Sequence, residues 1–126
     1  MTPSELAREM LAGTVKNVIS DRGMFHFVSS GVYIKELRMW AGDVGVQHKH
    51  VYDHFSITTG RVIVATDLGE QAYPAGTCVL LRAGINHSVR ALEDLSWFCI
   101  HAVPPGLSDT EVLAGEMDNV VIQRGP

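Results

Sequence analysis

Four histidines in the central part of this chain are the residues best suited to chemistry. His48 and His50 stand two positions apart, His54 follows shortly after them, and His87 lies much further along the sequence. Residues two apart in a β-strand point to the same face, so the first two imidazoles can lie side by side. Imidazole is the commonest protein ligand of first-row transition metals. The pattern therefore predicts a metal site that joins a local cluster to one distant histidine.

Other side chains are weaker candidates for chemistry. His101, on a late apolar run, and Tyr52, inside the histidine cluster, are candidates for a general acid or base. His26 lies between two phenylalanines and could face the mouth of a barrel, although a lone histidine in an apolar strand is usually structural. Three arginines could bind an anionic substrate through paired hydrogen bonds, but surface charge is the simpler interpretation of Arg38, Arg82 and Arg90.

The elements that must position these residues have the pattern of short strands. From about Val15 to Ala102, runs of β-branched and aromatic residues alternate with turn residues at intervals of about eight to twelve positions. This spacing predicts an antiparallel sandwich or barrel, and no intervening helical segment is long enough for a parallel crossover. The predicted strands are Val15–Ile19, Met24–Val28, Val32–Trp40, Val46–His50, Phe55–Thr66, Gln71–Tyr73, Cys78–Leu81, His87–Leu92 and Leu95–Ala102.

The 126 residues predict a single domain with one core. Residues 1–14 are expected to form an N-terminal helical arm that opens with a capping box from Thr2 to Glu5. Residues 15–103 form the barrel, and residues 104–126 form a C-terminal helix and tail that opens with a second capping box from Ser108 to Glu111. The segment Val120–Gln123 is interpreted as either a final edge strand or part of the tail.

Charge and composition exclude several classes of partner. The formal net charge is −4 and no block of basic residues occurs, so neither nucleic acid nor an anionic membrane surface is expected as a partner. No apolar stretch has the length of a membrane span and no signal peptide is visible, so a cytoplasmic protein is expected. Cys78 and Cys99 lie in apolar runs and are predicted to be buried free thiols, with a disulfide as the alternative.

The first histidine cluster and its flanking glycines resemble the first motif of the cupin superfamily, G-x5-H-x-H-x3,4-E-x6-G. Gly42, His48, His50 and Gly60 match the motif, but its glutamate is absent. His54 stands within the spacing that the family allows for that ligand.

The second stretch resembles the second cupin motif, G-x5-P-x-G-x2-H-x3-N. Gly76, Gly84 and His87 match it, while Arg82 replaces the proline and Ala91 replaces the asparagine. The two motifs, in the correct order, imply an all-β, cupin-type jelly-roll β-barrel with short N- and C-terminal helices.

Asp53 competes with His54 for the position of the missing glutamate, since six residues separate Asp53 from Gly60. Adjacent residues of a strand face opposite sides, so only one of them can point to the metal. We favour His54, because it would then share an inner face with Ser56 and Thr58. Asp53 would orient a histidine from outside the ligand set.

The resemblance then implies one divalent transition metal per chain, held by His48, His50, His54 and His87. Iron, manganese, copper, nickel and zinc suit imidazole, whereas magnesium and calcium prefer oxygen. Four neutral imidazoles leave the full charge of the ion in place, so we expect a strongly electrophilic metal.

The function predicted from this site is a small-molecule enzyme of dioxygenase type. The alternatives are a metal-dependent isomerase or decarboxylase and a non-catalytic module that binds a metal or a small ligand. A metal-free, epimerase-like cupin is disfavoured by the clustered histidines. Small cupins resemble obligate pairs, so a homodimer is expected.

Overall fold

The computed structural model describes residues 2–5, 18–21, 23–47, 53–108, 110–112 and 120–123. Within these ranges eleven strands form two antiparallel sheets. The strands are β1 (Val18–Asp21), β2 (Met24–Ser29), β3 (Val32–Met39), β4 (Val44–Gln47), β5 (His54–Thr58), β6 (Val62–Thr66), β7 (Gly69–Tyr73), β8 (Cys78–Leu81), β9 (His87–Ala91), β10 (Leu95–Ala102) and β11 (Val120–Gln123).

The two sheets have the topology of a jelly roll. The six-stranded sheet runs β1-β2-β3-β10-β5-β8, and the five-stranded sheet runs β11-β4-β9-β6-β7. Hairpins join β1 to β2, β2 to β3 and β6 to β7, while β3 pairs with the distant β10 and β4 with the distant β9. The predicted all-β, jelly-roll fold class is confirmed. No helix among the described residues has the length and hydropathy needed to cross a membrane.

One predicted strand, Phe55–Thr66, was wrong as a single element. The structure breaks it into β5 and β6 at a turn that contains Gly60. A Cβ on Gly60 would lie 2.8 Å from the Cβ of Leu95 and 2.9 Å from the Cγ of Glu93. Glycine is therefore required here by the close approach of the turn between β9 and β10.

The chain ends of the described structure carry the predicted local features. The backbone amide of Thr2 donates to Glu5 Oε2 over 2.8 Å, and the amide of Glu5 donates to Thr2 Oγ1 over 3.2 Å, which is a reciprocal capping box. The amide of Glu111 donates to Ser108 Oγ over 3.2 Å, so the second predicted box also forms. Of the two interpretations of the C-terminal segment, the edge strand is correct, since β11 pairs with β4.

The barrel interior is divided into an apolar half and a polar half. Side chains alternate between the two faces of each strand, so the register decides which residues share the interior. The apolar half contains Met24, Leu37, Met39, Val62, Val89, Ala91, Leu95 and Trp97. The polar half contains His26, Tyr33, Lys35, His54, Ser56, His87 and His101.

The two cysteines differ from each other. Both are free thiols, as predicted, and Cys99 is buried. The prediction that Cys78 is buried was wrong, because Cys78 lies on the outward face of β8, an edge strand of the six-stranded sheet.

Candidate functional site

His54 and His87 face each other across the polar half of the barrel. His54 begins β5 in one sheet and His87 begins β9 in the other. Their ring centroids lie 5.5 Å apart with the planes tilted by 41°, and only 2% and 4% of the two residues are exposed. Two imidazoles that share one metal, with metal–nitrogen distances of about 2.0–2.1 Å, have centroids roughly 5 Å apart. The pair therefore fits a transition metal both in its chemistry and in its spacing.

His48, His50 and Tyr52 lie outside the described residues. The metal-binding role of the two histidines and the acid–base role of Tyr52 stay predictions. Residues 48–52 are flanked by two described residues. Gln47 pairs with His87, and Asp53 directly precedes His54, so both flanking residues adjoin the histidine pair. Within the described ranges, no three residues of the types His, Cys, Asp and Glu are grouped to hold a metal ion.

The orientation of β5 distinguishes the two candidates for the third ligand. His54, Ser56 and Thr58 are buried on one face, as predicted, while Asp53 is exposed. Asp53 Oδ1 accepts a hydrogen bond from the amide of Ala83 over 2.8 Å, and Oδ2 accepts one from Arg82 Nη1 over 3.1 Å. These two bonds hold the pKa of Asp53 below its ordinary value. His54 is thus the residue that faces the barrel.

Asp53 connects the start of the strand that carries His54 to the loop that precedes His87. Its bonds to Arg82 and Ala83 join the start of β5 to the loop that leads into β9. His54 and His87 are the first residues of those two strands. A single exposed carboxylate therefore links the two chain segments that lead to the pair.

The surroundings of His87 favour its neutral form. Burial lowers the pKa of the His87 imidazole, and the positive charge of Lys35 acts in the same direction, while a hydrogen bond to the carbonyl of Ile85 opposes them. His87 Nδ1 lies 3.4 Å from that carbonyl oxygen. A proton on Nδ1 would donate to it weakly and leave Nε2 with the lone pair that a metal ligand needs.

The next polar group is built around Tyr33. His26 Nδ1 and Tyr33 Oη are 2.6 Å apart, and the rings of Tyr33 and His101 have centroids 5.0 Å apart. His101 Nδ1 lies 2.8 Å from the carbonyl oxygen of Ala102. His26 and His101, both named from the sequence, thus face the interior and share Tyr33 as a neighbour. Their participation in chemistry remains a prediction.

Lys35 is an interior residue that the sequence analysis missed. It is 1% exposed, and register places it between His26 of β2 and Cys99 of β10. The alternation of side chains along β3 could have identified Lys35 as an interior residue, because it puts Lys35 on the same face as Tyr33 and Leu37.

Comparison with known proteins bears on the fold. No protein-family model matches the sequence, and no curated protein matches it significantly. Among solved structures, the chain is similar to an ectoine synthase from P. lautus, with 15% identity and a TM-score of 0.62, over 94% of this chain and 88% of that one. It is also similar to a cupin superfamily protein from Desulfitobacterium hafniense, with 12% identity and a TM-score of 0.58, over 73% of this chain and 83% of the other. The chain has the cupin fold.

A third similar structure, KdgF from Halomonas sp., agrees with this assignment, with 16% identity and a TM-score of 0.58, over 70% of this chain and 88% of that one. The likeness in sequence is low throughout, so what the three structures share with this chain is the cupin architecture. The cupin-type fold that the two histidine motifs implied is thereby confirmed.

The cupin barrel has a cleft beside the histidine pair. It has a volume of about 300 Å³ and is lined by one edge strand of each sheet, β7 and β8. We call it the seam cleft. Thr66 and Leu81, which line it, are the cross-strand partners of His87 and His54. The cleft thus comes within one strand of both His54 and His87.

The three arginines considered as possible anion ligands, Arg38, Arg82 and Arg90, are all exposed, in agreement with their interpretation as surface charge. Arg38 lies on the outer face of β3, with its guanidinium 3.9 Å from the centroid of the Phe25 ring. Arg82 binds Asp53 at the rim of the seam cleft.

Proposed function

We propose that this chain is a metal-dependent cupin that acts on a small molecule. One divalent transition metal (Fe, Mn, Cu, Ni or Zn) would be held by His48, His50, His54 and His87. The observation that carries the proposal is the buried, opposed pair His54 and His87, which come from different sheets and converge at 5.5 Å between ring centroids. Burial of the His87 imidazole lowers its pKa and so favours the neutral form that binds metals.

The reaction class that we favour is an oxygenase reaction on an enol, diketone or catechol. A transition metal at this site would supply a Lewis acid for the oxygen atoms of the substrate and, if redox-active, electrons for oxygen. The chain's own residues would hold and orient the substrate: the barrel walls exclude water, and the Asp53 contacts fix the strand ends that carry the histidines.

A metal-dependent isomerase or decarboxylase is the second candidate, and the Tyr33 group favours it. Such reactions move protons, and Tyr33 Oη shares a 2.6 Å hydrogen bond with His26 inside the barrel. A phenol that is hydrogen-bonded to an imidazole can donate a proton and be reprotonated through its partner. The ectoine synthase among the similar structures is an enzyme by name, so the same fold does support catalysis there.

The first test is the metal content of purified protein after dialysis. We expect about one equivalent of Fe, Mn, Cu, Ni or Zn in the wild type and a loss of stoichiometric metal in His54→Ala and His87→Ala, with the circular dichroism spectrum retained. His101→Gln is the matched control, because it removes a buried histidine outside the ligand set. Full occupancy in both alanine variants would refute the ligand assignment.

The coordination of the bound metal separates an enzyme from a binding module. An open site with an exchangeable water, seen by electron paramagnetic resonance, supports catalysis, whereas a closed tetrahedral site supports a non-catalytic module. Oxygen consumption with diketones, enols and catechols then distinguishes the oxygenase from the isomerase or decarboxylase.

A further inference from the structure

The seam cleft lies between two consecutive strands that belong to different sheets. β7 is the last strand of the five-stranded sheet, β8 is the last strand of the six-stranded sheet, and the turn at residues 74–77 joins them. Within this turn Thr77 Oγ1 donates to the carbonyl of Pro74 over 2.7 Å. The amide of Gly76 donates to the carbonyl of Thr58, the last residue of β5, over 2.8 Å. The turn therefore closes one end of the seam.

The other end of the seam lies at the histidine pair. Gly69, the first residue of β7, pairs with Thr66, which in turn pairs with His87. Leu81, the last residue of β8, pairs with His54. Because Thr66, Gly69 and Leu81 all line the cleft, the cleft runs along the seam from the turn to the two predicted metal ligands.

The side chains of the cleft belong to the inner face of the barrel. Cross-strand partners in an antiparallel ladder lie on the same face of the sheet. Val79 is the partner of Ser56, and Ser56 is fully buried. Tyr73 is the partner of Val62, which is also fully buried. By the same register, the inner-face residues that line the cleft are Val64, Thr66, Gln71, Tyr73, Val79 and Leu81.

This inner wall is uncharged. Its six side chains are aliphatic or aromatic apart from the neutral polar groups of Thr66 and Gln71, while the charged Glu70 and Arg82 at the same cleft are exposed. Small-molecule sites are typically of this kind, apolar with a few polar groups. Since a cavity of about 150 Å³ admits benzene, the cleft volume of about 300 Å³ has room for one ring with short substituents.

We propose that the seam cleft binds the apolar body of the substrate, so that this cupin acts on a neutral molecule with one ring or a branched alkyl group. The oxygen atoms of that molecule would reach His54 and His87. The assignment of the oxygen end rests on the proposed function, whereas the apolar contact in the cleft does not. Leu68, in the turn between β6 and β7, lines the cleft and is 91% exposed, so an apolar ligand would cover it favourably.

The test is calorimetric titration of benzoylacetone and acetylacetone into metal-free protein and into protein incubated with one equivalent of zinc. The two neutral diketones differ by a phenyl group in place of one methyl group, so their ratio of affinities isolates the apolar contact. Val79→Phe fills the cleft from the inner face of β8. Ala72→Phe is the matched control, because it places the same ring on β7 at an exposed position outside the cleft lining.

We expect the wild type to bind benzoylacetone about ten-fold or more tightly than acetylacetone, because the phenyl group buries additional apolar area. Val79→Phe should reduce this preference to near equality, and Ala72→Phe should retain it. Leu68→Ser changes a side chain that is almost fully exposed, so it serves as the informative variant if Val79→Phe does not fold. It should lower the preference by about three-fold.

The outcomes separate this inference from the proposed function. If the wild type takes up no zinc but shows a preference that Val79→Phe removes, the cleft assignment stands and the metal proposal fails. A wild type that binds zinc and has equal affinity for the two diketones gives the reverse result. The inference is also overturned if the wild type binds neither diketone, or if folded Val79→Phe, or Leu68→Ser in its place, keeps the full preference.

Discussion

The hydrogen bond between His26 Nδ1 and Tyr33 Oη is short, at 2.6 Å, and both residues are fully buried. Tyr33 lies at the same end of the barrel as the helical residues 110–112, where Val112 packs with Val28 and Tyr33 in a small apolar cluster. Tyr33 suits this position because its ring packs against apolar side chains while its hydroxyl makes a hydrogen bond.

Tyr33→Phe removes this one hydroxyl and keeps the ring. We expect a loss of about 1–3 kcal/mol in the free energy of unfolding, because a buried hydrogen bond is lost while its imidazole partner stays in the interior. Urea denaturation followed by circular dichroism measures the change. Tyr73→Phe, at the half-buried end of β7, is the control and should cost less. Equal losses in the two variants would contradict a special contribution from the Tyr33 hydroxyl.

Sequence spacing predicted the inward residues of β5 but not those of β3, and the difference has a physical cause. On β5 the inner face carries His54 and small polar residues, while Phe55 and Ile57 point outward, so the histidine motif and not hydrophobicity identified the inner face. On β3 each face carries both apolar and charged residues, since Lys35 lies on one and Glu36 on the other. Alternation alone cannot assign such a strand to the interior.

At the scale of elements, the turns at the apolar end of the barrel are joined by polar contacts. Arg61 Nε donates to Glu93 Oε2 over 2.6 Å, which connects the start of β6 to the turn between β9 and β10. The amide of Ser96, near the start of β10, donates to Thr59 Oγ1 in the turn between β5 and β6 over 2.8 Å. These contacts hold together the turns that close the end of the barrel opposite the histidine pair.

The contact of Glu93 with Arg61 makes stability depend on pH. The hydrogen bonds from the Arg61 side chain and backbone hold the pKa of Glu93 below its ordinary value of 4.5. Ionised Glu93 therefore stabilises the folded state above the unfolded-state pKa, and this contribution is lost as the pH falls through the lower, folded-state pKa.

We expect Glu93→Gln to be less stable than the wild type at neutral pH, with a difference that shrinks and disappears as the solution is acidified below pH 4.5. Urea denaturation at a series of pH values measures it. The effect should be small, since both side chains are partly exposed. Glu70→Gln, an exposed change on β7, is the control. A difference from the wild type that stays constant across this range would show that Glu93 ionisation has no part in stability.

The strand pattern could be predicted from β-branched runs and turn residues, and most strand ends agree with it to within a few positions. The break within Phe55–Thr66 was missed because Gly60 is its only strong turn residue, and the need for glycine there comes from Leu95, far along the chain. Contacts of this kind depend on tertiary structure and are absent from local sequence.

At the scale of the whole molecule, the outer face of the six-stranded sheet has an apolar area on β5, β8 and β10. Phe55 is 53% exposed and pairs with Leu80, which is 41% exposed, and Ile57 pairs with Cys78. Ile100 and Phe98 of β10 lie beside Phe55 and Ile57 in the adjacent strand. We call these residues the outer patch. A continuous apolar surface of this kind is typical of a protein interface.

We propose that the outer patch is the contact of the expected homodimer. Phe55→Lys combined with Leu80→Lys should convert the dimer to a monomer, because it places four charges in an interface that would otherwise be dry. Light scattering at micromolar concentration measures the mass. Leu68→Lys, at a turn where the residue is 91% exposed, is the control and should leave the mass unchanged. A wild type that is monomeric, or a double variant that remains dimeric, contradicts the proposal.

The spatial proximity of His54 and His87 could be predicted only from the resemblance to the two cupin motifs. The two residues lie in different sheets, and their distance depends on the register of many strands between them. The sequence indicates that each is a candidate, while the packing of the two sheets decides that their rings converge. Lys35 likewise lies in the interior because of the register of β3 with β2 and β10, which local sequence does not specify.

The division of the barrel interior makes the protein suitable for redesign. The apolar cluster, in which Trp97 and Leu37 are fully buried, contributes Val64 and Leu81 to the wall of the seam cleft, whereas Gln71 and Arg82 at the same cleft are exposed. New specificity can therefore be selected at the exposed polar residues of the cleft. The apolar cluster, left unchanged, supplies the folding stability that tolerates these substitutions.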